Sequence, residues 1–308
     1  MHEPTTPPDP ARSQLRPRAL DHVVLPVEDI GVSRERYERL GFTVAPRGEH
    51  PFGTENACVF LADGTFLEPL GVAQRETCEA AARAGNSFVR NDQAYRFRRG
   101  EEGFSHLVIR SRNAKADHRE FVEEGISGGR RLRFKRRFET PDAQRASAAF
   151  RLAFAADPRM PDAFFFACEV RKAPKVDRTT LTTHANGAVA LREIVGAEPN
   201  PTDFQYFFQT FLNQRHMRAD SFGMSFVMDG GALLSVLTPA GIMAFHGIEA
   251  ERVERGVRLH AVVVAVASLD RAATLLESNG VGFDRHGPHL RIPPAAGQGF
   301  TLIFAEAP

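Results

Sequence analysis

"LDHVVLPVEDIGVSRERYERLGF" spans Leu20–Phe42. Behind Asp21 and His22 runs an apolar, β-branched segment, Val23-Val24-Leu25-Pro26-Val27, closed by the acidic turn Glu28-Asp29. Tyr37 and Leu40 sit three apart before Gly41, as in a helix that stops at a glycine. The stretch therefore predicts strand, turn, helix and stop. It also raises a question: why does a strand bound for a core begin with a histidine?

Three other segments echo it, and repeats of this kind decide a fold. "FSHLVIRSRNAKADHREFVEEGI" (Phe104–Ile126) places His106 third and Gly125 at the stop. "RLHAVVVAVASLDRAATLLESNGV" (Arg258–Val281) does the same with His260 and Gly280. "LREIVGAEPNPTDFQYFFQTFL" (Leu191–Leu212) is a weaker copy with Glu193 third. Each echo is followed by strand-like pieces. They are Ala57–Ala62 and Thr65–Leu70; Leu132–Phe138, Ala149–Ala155 and Ala163–Glu169; Gly223–Met228 and Ala232–Leu237; and Gly282–Arg285, His289–Ile292 and Phe300–Phe304. The unit is strand, helix, then about three strands. One such unit has two raw sheet edges, and pairing two units protects them. The expected class is α+β, with four βαβββ modules paired into two domains at 19–170 and 187–308. A polar, proline-containing linker over 171–186 separates them, and a disordered lead-in occupies 1–18.

Length and composition agree with this. A chain of 308 residues has a prior of about two domains, and 43% hydrophobic and 25% charged residues are ordinary for a globular protein. A net charge of +1 gives no argument for nucleic acid or an acidic membrane as partner. The basic run "RRLRFKRRF" (Arg130–Phe138) alternates through Leu132 and Phe134, and reads as a strand with a solvated face. Cys58, Cys78 and Cys168 are odd in number and lack CxxC spacing, which favours free thiols and a reducing compartment. The N-terminal stretch has no apolar h-region and is not expected to be a signal peptide, and the sequence holds no membrane-length apolar run. The expected protein is cytoplasmic, binds a small molecule, and, if oligomeric, is a homodimer. Phosphate-loop and dinucleotide motifs are absent.

The stretches "LDHVVLPVEDI", "RLGFTVAPRGEHPFGTENACVFLADGTFLEPLGV" and "HANGAVALREIV" resemble the glyoxalase-like domain proteins of the vicinal oxygen chelate superfamily, built from paired βαβββ modules. The resemblance implies a metal site inside the cup, with one ligand on a module's first strand and one on its last. That maps to His22 and Glu68 in the first module, and to His106 and Glu169 in the second. A one-residue slip at Glu169 would send its side chain to the other face. The segment "GEHPFGTEN" matches a family motif, so His50, Thr54 and Asn56 are expected to line the cup mouth, and "HANG" adds His184. In the second half, Ser235 stands where Glu68 does and Ile303 ends the fourth module, leaving Glu193 and His260 without a last-strand carboxylate.

Imidazole and carboxylate together suit a divalent ion: Zn, Ni, Mn, Co or Fe. Such an ion stabilises charge developing on a chelating substrate oxygen, and Glu68 or Glu169 at its edge could move a proton. The expected activity is a glyoxalase-like lyase or isomerase acting on a small oxygenated substrate. An Fe(II)-dependent extradiol-type dioxygenase is the alternative enzyme, and a metal-free small-molecule binding or resistance protein is the alternative outside catalysis. Glu68 is the strongest single residue, because a carboxylate in an apolar strand is costly unless it is paired.

Overall fold

A computed structural model describes residues 16–139, 145–171, 179–250 and 255–307. Residues 1–15 of the expected lead-in and 172–178 of the expected linker lie outside the described residues. Two curled sheets carry the chain. The first contains β1 (Leu20–Pro26), β2 (Gly48–Glu49), β3 (Thr54–Asn56), β4 (Val59–Phe60), β5 (Phe66–Val72), β6 (His106–Arg110), β7 (Leu132–Glu139), β8 (Arg145–Ala155) and β9 (Phe164–Arg171). Its order is β2-β3-β5-β1-β6-β9-β8-β7, with β4 paired to β5.

The second sheet contains β10 (Ala188–Ala197), β11 (Arg218–Asp220), β12 (Gly223–Val227), β13 (Leu233–Leu237), β14 (Arg258–Val266), β15 (Asp284–His286), β16 (His289–Ile292) and β17 (Thr301–Glu306). Its order, β11-β12-β13-β10-β14-β17-β16-β15, repeats the first. Modules one and two thus share the first sheet, and modules three and four share the second. Within each sheet the two first strands pair antiparallel and each first strand runs parallel to its own module's last strand.

The module helices are α1 (Ile30–Arg39), α4 (Ala114–Glu123), α5 (Gln205–Leu212) and α7 (Leu269–Ser278). Asp29, Asn113 and Ser268 cap three of them, each accepting main-chain N–H bonds from the first turn. Gly41, Gly125 and Gly280 end the same three with positive φ. Asn213, at φ 49°, takes that place after α5, which is why the third copy reads weakly. The helices lie between the sheets. Tyr37, Phe121, Phe207, Phe208, Phe211 and Leu276 share one core with strand residues of both sheets. The opposite faces form two separate cups. Val24, Leu70, Val108, Phe154 and Phe166 line the first, and Val195, Ala261, Val263 and Ile303 line the second.

Three helices add to the expected modules: α2 (Arg75–Arg83), α3 (Ser87–Arg99) and α6 (Pro239–His246). Of these, α3 matters most, because its Phe88 and Val89 pack into the first cup. Strand β8 begins at Arg145, ahead of the strand expected from Ala149.

Candidate metal centre

The question of His22 is answered by register. His22 pairs with Phe66 of β5, and two residues further on Glu68 points to the same face. The antiparallel pairing sets His22 opposite Val108 and Val24 opposite His106, so the two histidines are related by the pseudo-twofold between modules. Both lie on the cup face of the sheet, His22 in the lining of the cavity and His106 fully buried behind it.

There His22 Nε2 lies 3.2 Å from Glu68 Oε2, and Asp21 Oδ2 holds His22 Nδ1 at 2.7 Å. Arg110 Nε donates to the other oxygen of Asp21 at 3.1 Å. Burial disfavours the imidazolium of His22, but the hydrogen bonds to Asp21 and Glu68 outweigh it and raise its pKa. Burial likewise favours the neutral acid at Glu68, and His22, helped by His50 and Asn56, overrides it and lowers that pKa.

Asn56 Nδ2 donates to Glu68 Oε1 at 2.5 Å, and His50 Nε2 stands 3.8 Å from the same oxygen. Thr54 sits behind the lining, its hydroxyl 2.9 Å from His50 Nδ1. Burial lowers the His50 pKa to about 4, so its ring is neutral at pH 7. His106 is fully buried, with a pKa lowered by burial to about 3. Its Nδ1 lies 2.7 Å from Ser105 Oγ, whose own proton goes to the Val24 carbonyl. The hydroxyl therefore accepts from Nδ1–H, which leaves a bare lone pair on Nε2. That Nε2 is buried without any partner.

The structure moves two expected residues away from the cup. Counted from the partner of each histidine, the counterpart of Glu68 is Phe166, because His106 pairs with Phe164. Phe166 and Cys168 face the cavity, so Glu169 faces the helices. There Glu169 Oε2 accepts the Ala114 N–H at 3.0 Å at the start of α4, and Oε1 stands 3.3 Å from Arg171. Glu169 is a helix cap, not a ligand, and it is lost to the one-residue slip that strand alternation permits. His184 is also corrected. Its Nδ1 accepts the Thr43 N–H at 3.0 Å and its Nε2 donates to the Phe60 carbonyl at 2.9 Å, so it is spent on clamping backbone.

In the second sheet Glu193 and Ser235 occupy the positions of His22 and Glu68, bonded to each other at 2.5 Å. The counterpart of His106 there is Ala261. His260 is one residue out of register and lines a cleft between the sheets.

The first cup encloses about 440 Å³, walled by Phe52, Phe66, Phe88, Phe134, Phe150 and Phe166 among others. Sequence reading missed Phe88, because α3 was unread, and Arg136, which lines the same cavity. The signal for Arg136 was present: it shares parity with Leu132 and Phe134.

A family model described as "Glyoxalase-like domain" matches residues 20–212. The chain belongs to the glyoxalase-like domain family. Solved structures agree on the fold. A hypothetical protein from Staphylococcus aureus superposes with a TM-score of 0.64 at 10% identity, over 94% of this chain and 99% of that one. A Mn(II)-bound glyoxalase from Novosphingobium aromaticivorans gives 0.54 at 13% identity, over 94% and 82%. A mutant 4-hydroxymandelate synthase from Streptomyces coelicolor gives 0.54 at 9%, over 94% and 93%. No curated protein matches the sequence.

The residues of this glyoxalase-like protein suit a metal in their chemistry: two imidazoles with Nδ1 engaged, a facing carboxylate and an orphaned Nε2. Among the described residues, no three His, Cys, Asp or Glu side chains already stand in a ready cage. His22 and Glu68 close on each other instead, so loading needs His22 to give up its proton.

Proposed function

We propose that the first cup is the active site of a metal-dependent lyase or isomerase of glyoxalase type, acting on a small oxygenated molecule, with His22, Glu68 and His106 as ligands. The orphaned Nε2 of His106, on the same cup face as the His22–Glu68 pair, carries this reading. Ligand bonds of about 2.1 Å at roughly 90–110° set two donors about 3.0–3.4 Å apart. The 3.2 Å between His22 Nε2 and Glu68 Oε2 therefore suits an ion as well as it suits a proton. A bound ion would supply Lewis acidity toward a substrate oxygen.

The chain's residues supply the rest. Asp21 and Ser105 fix the ring orientations of the two histidines, and Asn56 holds Glu68 Oε1. The phenylalanine walls exclude water. With Phe166 in the fourth ligand position, the last-strand carboxylate that could act as base is missing from module two. Neutral His50, its Nε2 near Glu68 and its ring lining the cavity, takes the proton-accepting role. The Mn(II) in a structural neighbour of the same fold supports metal use.

A second reading, a metal-free binder of a small apolar molecule, draws on Phe166 and on the absence of a ready cage among the described residues. Calorimetric titration of chelator-treated protein with Mn²⁺ and Zn²⁺ separates the two. The enzyme reading expects about one equivalent bound, and a loss of about 10–100-fold or more in affinity in His106→Ala. No binding of either ion would leave the second reading standing.

A further inference from the structure

Arg136 belongs to β7, yet its side chain enters the cup from the far edge of the sheet. The guanidinium lies over Gly48 of β2, where an added Cβ would fall 1.5 Å from Nη2 and 2.4 Å from Cζ. Nη2 donates to Asn56 Oδ1 at 2.5 Å, and Asn56 passes its amide to Glu68. The Nε of Arg136 is buried and has no acceptor. Among the described residues, no carboxylate pairs with this guanidinium within the 4.0 Å of an ion pair. The other arginines that reach buried acids, such as Arg96 on Asp92 and Arg98 on Asp162, do have such partners. A guanidinium drawn into a phenylalanine-lined cavity without a counter-charge is expensive, as is a buried N–H donor left unmet.

We propose that Arg136 is the anion receptor of the first cup, so that the molecule bound there carries a carboxylate at one end and an aromatic or other apolar body along the rest. The planar guanidinium offers a fork matched to a carboxylate. Phe134 and Phe150, stacked at 5.1 Å beside it, and Phe52 and Phe88 beyond offer faces and edges to a ring. The anion is held on the β7 wall, one asparagine away from Glu68, so it need not occupy the positions proposed for the metal. This deepens the reading of the first cup as the working site but does not rest on metal being bound there.

Gly48 makes the idea testable without touching the arginine. Its φ is ordinary, and what an alanine there would strike is the movable end of a side chain. Gly48→Ala therefore displaces the guanidinium at little cost in stability.

The experiment is calorimetric binding of 3-phenylpropanoate and of uncharged 3-phenylpropanamide to the chelator-treated full chain. Wild type is expected to prefer the acid by about tenfold or more. Arg136→Gln loses that preference while keeping its affinity for the amide, Arg136→Lys keeps part of it, and Gly48→Ala weakens the acid several-fold with an unchanged melting temperature. Equal binding of acid and amide by wild type overturns the proposal. So does a preference that survives Arg136→Gln, or no binding of either compound at about 10 mM. Because metal is removed throughout, failure of the metal titration and failure of this preference are separate results.

Discussion

His106 has one ring nitrogen satisfied and the other bare, in a pocket of phenylalanine rings. A buried unmet polar atom costs about 1–3 kcal/mol, whereas an apolar group of similar shape can be neutral there. His106→Phe is therefore expected to leave the stability of metal-free protein within about 1 kcal/mol of wild type, while abolishing metal binding. Denaturant unfolding with and without Mn²⁺ measures both. A large loss of stability without metal would mean that the ring is structural. His246, in the second cup, gives a pH dependence. Burial, with His289 and His286 nearby, lowers its pKa from 6.5 to about 4, and Glu193 stands 4.0 Å away. The unfolded chain takes up this proton near pH 6.5 and the folded chain only near pH 4. Its contribution to stability is thus present above about pH 6.5 and is lost as pH falls toward 4. His246→Asn should flatten the fall in melting temperature across that window, and an unaltered slope would contradict the assignment.

At the scale of elements, most of the fold was legible and part of the site was not, for one physical reason. Repeated strand–helix–glycine patterns survive any small error in register, so four modules follow from His22, His106 and His260 with Gly41, Gly125 and Gly280, and from the weaker copy at Glu193, whereas the order in which the modules pair comes from the sheets. A side chain's face does not survive such an error, because strand alternation reverses with each residue. Glu68 is the one charged side chain in "TFLEPLG", so it stands out whatever the register, and the parallel ladder turns it to the cup. Glu169 follows a nearly unbroken apolar run, Ala163–Cys168, in which parity cannot be read from polarity. The same alternation hid Arg136: Arg133 and Lys135 are solvated, and Arg136 was grouped with them although it shares a face with Phe134. If Glu169 caps α4, Glu169→Ala should cost about 1 kcal/mol or more in denaturant unfolding and leave metal content unchanged. Loss of metal with unaltered stability would restore it as a ligand.

For the whole molecule, the two sheets share a single helical core and turn their cups away from each other. Phe165 of β9 meets Phe207, Phe208 and Phe211 of α5 at ring separations of 4.9, 5.6 and 5.4 Å, joining the first sheet to the third module. Phe165→Ala is therefore predicted to cost about 3–5 kcal/mol and to lower one calorimetric transition rather than split it into two. The shared core holds the repeated geometry away from the cups and leaves them free to differ: one holds His22, Glu68 and His106, the other Glu193, Ser235 and Ala261 at the matching positions. Whether the first cup holds a metal is read most directly by elemental analysis of full-length protein purified without a metal-affinity tag, beside Glu68→Ala. About one equivalent of a divalent transition metal in wild type, lost in the variant, is the predicted result. Metal absent from both, and not restored by Zn²⁺, Ni²⁺, Mn²⁺ or anaerobic Fe²⁺, would contradict it.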